Sequence, residues 1–444
     1  MNAHRHLSHR VQALRVGSAL GALVASLSAG TYSAALNDPA NAYDAPVPGF
    51  IGPDGIGMAR LWNGLAYENP ANYVNPVFFG WAESVAAYSP SELTSFADAS
   101  LALGPVTGDD FDVVSLGDLS SDQITAHAPP GSITVTLAKP IRNLTGADFV
   151  IFENGYLATY YQGGAGIGGI FGELAYVEVS DDGVTFKRFP SASLTASAVG
   201  SYGTLNPTNI HNLAGKHLNS GGDSWGTPFD LAEVGLAQIT HIRLVDIPGS
   251  GAFKDTAGHS IYDAWLTWGS AGFDLEAVGS ISTAMTYAQW PQLASLPQDQ
   301  RGESDDPDGD GLPNLLEYAF ARMPGVADAA GAAPTCVMVT EGGARHAELR
   351  FLRDERLTDL SYEVQVSDSL SNDAWTTIAA SSAGAPVVAA SGYNPAIVET
   401  SASGIASIGV VRQVTVRDTL AAPRAGKRFF RVKVSQLSTG GTAQ

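Results

Sequence analysis

From about residue 132 onward, the chain reads as short apolar or alternating apolar–polar runs, each closed by a turn. Ser132-Ile-Thr-Val-Thr-Leu137, Asp148 to Phe152, Leu174 to Val179, Thr240 to Asp246 and Phe273 to Ile281 are rich in β-branched and aromatic residues. No long amphipathic helix separates them. Runs of this kind without βαβ spacing predict an antiparallel sandwich or jelly roll. Ser180-Asp-Asp-Gly183, between Val179 and Phe186, predicts a hairpin, because Asp-Gly accepts positive φ. The pattern returns in His346 to Leu352, Ser361 to Val366, Val410 to Val416 and Arg428 to Val434, which predicts a second, smaller β-sandwich. The expected fold class is therefore all-β: a jelly-roll or sandwich domain over 36–284, a linker over 285–335 with one helix, and a small sandwich over 336–435.

One stretch of the linker breaks the pattern. Asp306-Pro-Asp-Gly-Asp-Gly-Leu-Pro-Asn-Leu-Leu-Glu317 fills every position of a twelve-residue EF-hand loop. Calcium takes about six to eight hard oxygens, and the spacing offers Asp306, Asp308 and Asp310 at positions one, three and five. The Leu312 carbonyl follows at seven, Asn314 at nine and a bidentate Glu317 at twelve, with Gly311 making the turn at six. A chance acidic linker rarely meets more than two or three of these requirements. Leu315, Leu316, Tyr318, Ala319 and Phe320 then predict a short exit helix, stopped by Pro324-Gly325. No entering helix is legible before the loop, so the pattern is that of a single dockerin-type or type 3 thrombospondin-like calcium repeat. Ca2+ is the one cofactor the sequence names.

Composition and charge narrow the setting. The N-terminus carries Arg5, Arg10 and Arg15, a small apolar run from Val16 to Ala29 and then Ser33-Ala34-Ala35, the pattern of a secretory signal peptide over 1–35. Without it, 21 basic residues face 44 acidic ones, a formal charge of −23. That balance disfavours nucleic acid as a partner. The run is too short and too rich in Ala, Gly and Ser to predict a transmembrane span. The polar tail 436–444 offers no hydrophobic anchor, so the expected location is secreted or at the cell surface. The single cysteine, Cys336, has no internal partner and reads as a small buried hydrophobe.

Ala147-Asp-Phe-Val-Ile-Phe-Glu-Asn-Gly155, Glu173 to Pro190, Asn206 to Lys216, Thr227-Pro-Phe-Asp-Leu231 and Gly272-Phe-Asp-Leu-Glu-Ala-Val-Gly279 together resemble a family of bacterial secreted cell-surface proteins. The resemblance covers roughly residues 50 to 282. It implies a discoidin or galactose-binding-type jelly roll. Members often carry a C-terminal sorting signal, which is not expected of the polar tail 436–444. A more remote similarity to surface proteins found beside cobalamin uptake systems keeps a corrinoid ligand open. Leu360 to Ser367, Trp375 and Arg428 to Val432 resemble a small sandwich that commonly follows such calcium repeats.

Further candidates follow from residue type. Glu153 ends one strand, while Asp274 and Glu276 alternate along another, and acids at strand ends are where jelly rolls commonly bind a second cation. Tyr156, Tyr160 and Tyr161 precede a glycine-rich loop and offer aromatic faces to a sugar. Gly164, Gly166 and Gly169 match a dinucleotide fingerprint, but the chain continues as a strand rather than a helix, so a mobile loop is expected. For hydrolysis the best constellation is Ser224 with His211 or His259 and Asp263, without a nucleophile elbow. Three classes therefore stand: a calcium-dependent non-catalytic binder of glycan or another small ligand, an exported hydrolase of polysaccharide or esters, and an adhesive or corrinoid-binding surface protein.

Overall fold

The structure is a computed structural model and describes residues 30–38, 44–92, 95–293, 296–327, 333–370, 374–402, 410–419 and 428–437. It is all-β, with two sandwiches in sequence. The first is one curled antiparallel sheet. Its strands are β1 (Val47–Pro48), β2 (Gly80–Ser89), β3 (Val114–Ser115), β4 (Ser132–Arg142), β5 (Phe149–Glu153), β6 (Ala175–Ser180), β7 (Lys187–Arg188), β8 (Trp225–Phe229), β9 (Gln238–Asp246) and β10 (Asp274–Ser280). Their order is β1-β8-β5-β10-β2-β4-β9-β6-β7, with β3 added to β10.

The curl is made at β2. Gly80 and Trp81 pair with β10, whereas Ala82 to Ser89 pair with β4, and register shifts at 82/84 and 85/87 bend the strand between the two layers. The core lies inside the curl. Phe149 and Ile151 of β5 meet Val177 and Val179 of β6 and Ile242 and Leu244 of β9, all at period two as a half-buried strand requires. Phe149, Phe189 and Phe229 form an aromatic triad with ring centroids 5.1 to 5.9 Å apart. Truncating Phe149 to Ala would cost about 3–5 kcal/mol. The expected hairpin is present: β6 pairs β7 through Val179 and Lys187, Gly183 has φ of +70°, and Asp182 Oδ1 accepts the Val184 and Thr185 N–H groups.

The second sandwich stacks two four-stranded sheets. One runs Thr335–Glu341, Ala344–Asp354, Val411–Arg417, Ala396–Ser401, and the other Val388–Ala389, Thr376–Ser382, Leu360–Ser367, Phe429–Gln436. The stretch expected to link the two units belongs to this core: Met285, Tyr287, Trp290, Tyr318 and Phe320 pack with Leu349, Phe351, Tyr362 and Val364. Val410 and Val411 in turn join the core of the first sandwich beside Val77, Phe78 and Ala277. Buried Arg356 ties the joint. Its guanidinium is held by Asp354, donates to the carbonyls of Val77 (2.8 Å) and Ile281 (3.3 Å), and lies 3.4 Å over the Phe79 ring.

One expectation lies largely outside the described residues, and one needs amendment. Of the leader expected over 1–35, only residues 30–35 are among those described, and these are packed: Ser33 and Ala35 are buried, and Tyr32 stacks on His211. Cys336 is exposed on an outer strand of the second sandwich rather than buried.

Candidate metal centres

The loop 306–317 is built by its own side chains. Asp306 accepts the N–H groups of Gly309 and Gly311, both at 3.0 Å, Asp308 accepts that of Asp310 at 3.1 Å, and Asp310 that of Leu312 at 2.9 Å. Each bond folds the chain back on a carboxylate, and Gly309 and Gly311 have the positive φ (+74° and +94°) that this winding needs. Carboxylate oxygens of Asp306, Asp308 and Asp310 consequently lie within 4.8 Å of one another, the tightest acid trio among the described residues. Asn314 spends both side-chain donors on the Gln300 and Gly302 carbonyls at 2.9 Å. That commitment leaves its Oδ1 buried without a hydrogen-bond partner, as is Oδ2 of Asp308. Asn314 opens the helix Asn314–Ala319, whose Glu317 is fully buried. Position-one, -three, -five, -nine and -twelve side chains of an EF-type loop are thus present with oxygen-only chemistry, which suits a hard cation. Burial and the neighbouring carboxylates Asp310 and Asp306 raise the Asp308 carboxyl above its ordinary value.

A second set of carboxylates lines one end of the first sandwich. Glu153 follows Phe149 and Ile151 at period two on β5, Asp246 follows Ile242 and Leu244 on β9, and Glu173 precedes Ala175 and Val177 of β6. Three core-facing registers therefore end in an acid. Asp274 of β10, Asp263 and Asp118 from adjoining loops complete the group, and all six are at most 3% exposed. Each carboxylate takes a short donor. Gly155 N–H serves Glu153 Oε2 (2.9 Å), Thr267 Oγ1 serves Glu173 Oε1 (2.5 Å), Phe273 N–H serves Asp246 Oδ1 (2.8 Å) and Leu174 N–H serves Asp263 Oδ2 (2.9 Å). The Thr267 N–H serves Asp118 Oδ2 (3.2 Å), and the Ser115 hydroxyl serves Asp274.

Glycine makes these approaches feasible: a Cβ at Gly155, Gly249 or Gly272 would stand 2.8, 1.8 and 2.7 Å from an oxygen of Glu153, Asp263 and Asp246. Burial, then mutual repulsion, pushes the Glu153, Glu173, Asp246 and Asp263 carboxyls well above the carboxylate range, and burial, with neighbouring Glu92, pushes Asp118 up to about 7.

Glu276 does not join this group. The register shift between 275 and 277 breaks the alternation of β10, and Glu276 instead accepts from Thr107 N–H (2.6 Å), Gly108 N–H (2.8 Å) and Asn219. Glu173, Asp246 and Asp118 were not singled out from the sequence, and Asp263 was named only as the acid of the hydrolytic constellation. The available signal was an acid standing at the next inward position of a strand whose preceding inward residues are apolar.

The tyrosine loop connects directly to this end. Tyr156–Leu157 pairs with Ile170–Phe171, so the whole loop is the excursion between Glu153 and Glu173. Tyr156 stacks on Phe171 at 4.9 Å and Phe171 on exposed Tyr202 at 6.3 Å, while Tyr160 and Tyr161 are 61% and 74% exposed. The glycine run is fastened to Thr204, whose hydroxyl accepts from Gly166 N–H (2.8 Å) and donates to the Gly163 carbonyl (2.9 Å). The hydrolytic constellation is not brought together. Ser224 is buried with its hydroxyl unbonded, His211 is held by Asp44 and Glu233, and His259 by Asp255 at 2.9 Å.

No protein-family model matches the chain, and no curated protein is significantly similar to it.

Proposed function

We propose that this chain is a secreted, calcium-stabilised, non-catalytic binding protein. Its first sandwich presents the Tyr156, Tyr160 and Tyr161 loop to a carbohydrate or similar small ligand. The observation that carries the reading is the convergence of Asp306, Asp308 and Asp310 immediately before a helix whose Glu317 and Tyr318 are buried at the joint. Without a cation these carboxylates repel one another, so calcium organises the loop and the helix behind it. That helix reaches the joint through Tyr318, whose hydroxyl donates to Asp359 (2.8 Å) and meets the Met285 carbonyl at 3.3 Å. Ion binding thereby holds the two sandwiches in one arrangement.

Limited proteolysis tests the calcium part: cleavage near residue 310 should be fast in chelator and slow in calcium, and equal rates would overturn it. A glycan and corrinoid screen in saturating calcium tests the ligand part. Binding without turnover supports a recognition module, whereas hydrolysis of a polysaccharide or ester substrate replaces it with an enzyme.

A further inference from the structure

We infer that the acid-lined end of the first sandwich is a second calcium site, with Glu153, Glu173 and Asp274 as its carboxylate ligands and Asp118, Asp246 and Asp263 flanking them. This goes beyond the loop at 306–317 and does not depend on it. Glu153, Glu173 and Asp274 are electrostatic neighbours in all three pairs, while Asp263 faces Glu153 and Asp246, and Asp246 faces Asp274 and Asp118. The charged groups that act most strongly on these acids are one another, with Glu92 beside Asp118. No Lys, Arg or His appears among those neighbours.

The hydrogen bonds to these acids come from donors, which oppose the effect of burial on their ionisation. Backbone N–H groups of Gly155, Leu174, Phe273 and Thr267 donate to Glu153, Asp263, Asp246 and Asp118. Donors of this kind favour carboxylate, and a protonated acid would instead need an acceptor for its own O–H. The remaining oxygens, Glu153 Oε1, Asp118 Oδ1 and Asp246 Oδ2, are buried and meet no partner in full hydrogen-bond geometry among the described residues, although the backbone N–H groups of Glu173, Leu119 and Ile247 also bear on these carboxyls. A buried oxygen short of partners is costly, and Glu153 Oε1, on a proposed ligand, needs one, with Asp118 Oδ1 and Asp246 Oδ2 on the flanks. A cation meets it. With only oxygens offered, and more of them than a strongly hydrated small ion accepts, calcium suits the site better than magnesium or zinc. The acids are spaced more widely than the loop trio, and two glutamates have the reach to close in. Because Glu153 and Glu173 flank the loop 154–172, the ion would clasp both ends of the segment that carries Tyr156, Tyr160 and Tyr161.

Calcium stoichiometry on the full chain, measured by equilibrium dialysis, decides between the sites. The expected count is two ions for the natural sequence and one for the Asp308→Asn/Asp310→Asn variant. Adding Glu153→Gln and Glu173→Gln to that variant should weaken the remaining site by about 100-fold or more, because calcium affinity follows ligand charge. One ion in the natural chain and none in the loop variant would overturn this inference and leave the loop reading standing. An unchanged single ion in both would overturn the loop reading instead. Retention of the second ion by the quadruple variant would also sink the sheet-end site. Should that variant not fold, terbium soaked into crystals of the loop variant supplies the location. Anomalous density among Glu153, Glu173 and Asp274 is expected, and density elsewhere alone would refute the assignment.

Discussion

The loop at 306–317 and the acid-lined end of the first sandwich gather carboxylates by opposite means. In the loop, three aspartates within five residues are wound together by the backbone N–H groups they accept, and Asp306 stays exposed while Asp308 and Asp310 are half-buried. At the sheet end, six acids come from six separate places between residues 118 and 274, and the sandwich core delivers them already buried. Repulsion in the loop is screened by water and relieved by local unwinding. At the sheet end it can be relieved only by a proton, a cation or opening of the sandwich. A short local motif can therefore hold an ion cheaply in structural terms, whereas a dispersed site ties ion binding to the stability of the whole domain.

The largest expected effect uses Asp148 as a reference for that contrast. It sits at the other end of the strand that carries Glu153, is equally buried, and has both oxygens served by N–H donors from Leu144 (2.9 Å) and Leu231 (2.8 Å). Burial pushes Asp148 up to about 7 and Asp223 up to about 6, against ordinary values near 3.8. The folded chain therefore keeps protons that the unfolded chain has released. Between about pH 4 and pH 7 it binds more protons than the unfolded state, and unfolding free energy falls as pH rises, by about 1.4 kcal/mol per group per pH unit. Urea unfolding in calcium-free buffer should show a decline of several kcal/mol across that window, with a shallower slope for Asp148→Asn. A flat profile would mean that these acids stay ionised when buried.

Calcium withdrawal at neutral pH comes next. Each ion bound only by the folded state contributes about 4 kcal/mol when calcium is 1,000-fold above its dissociation constant. Calorimetry should show the transition of the natural chain fall on chelation. The Asp308→Asn/Asp310→Asn variant should keep a calcium-dependent shift, assignable to the sheet end. Loss of all calcium dependence in that variant would reduce the two centres to one.

Isosteric neutralisation separates them further. In calcium-free buffer at neutral pH, Glu173→Gln should raise unfolding free energy by about 1–3 kcal/mol, because it removes the cost of ionising or protonating a buried acid and keeps the shape. Asp310→Asn, in the half-exposed loop, should stay within about 0.5 kcal/mol. Equal effects in equilibrium unfolding would show that burial does not distinguish the two sets.

The same contrast explains what the sequence disclosed. The loop was legible because its ligands are contiguous, and the strands from 132 onward because each carries its own period-two pattern. The Gly80–Ser89 strand was not, since its exposed residues and two bulges hide the alternation. Trp225–Phe229 was masked by Pro228, which is tolerated because β1 covers only Trp225 and Gly226 on that side. Glu153 and Asp274 stood out as acids at strand ends, but their grouping with Glu173, Asp246, Asp263 and Asp118 depends on which strand ends the curl brings together. Glu276 illustrates the converse: its alternation with Asp274 was legible, whereas the bulge that separates them was not.

The smallest effect asks how far the loop reaches. Tyr318 stands on the loop's exit helix, packs against Tyr287 and Trp290 with ring centroids 5.4 Å away, and donates its hydroxyl to Asp359. Tyr287 N–H donates to the other oxygen of the same aspartate at 2.7 Å, so Asp359 fastens the exit helix to the chain leaving the first sandwich. Tyr318→Phe keeps the ring packing and should cost about 1–1.5 kcal/mol, the worth of one such bond. If calcium acts on the joint through this helix, a double-mutant cycle with Asp310→Asn should give a coupling energy of at least about 0.5 kcal/mol in calcium and near zero without it. Additive losses in calcium would confine the ion's influence to the loop and leave the sheet end as the only centre coupled to the architecture of the molecule.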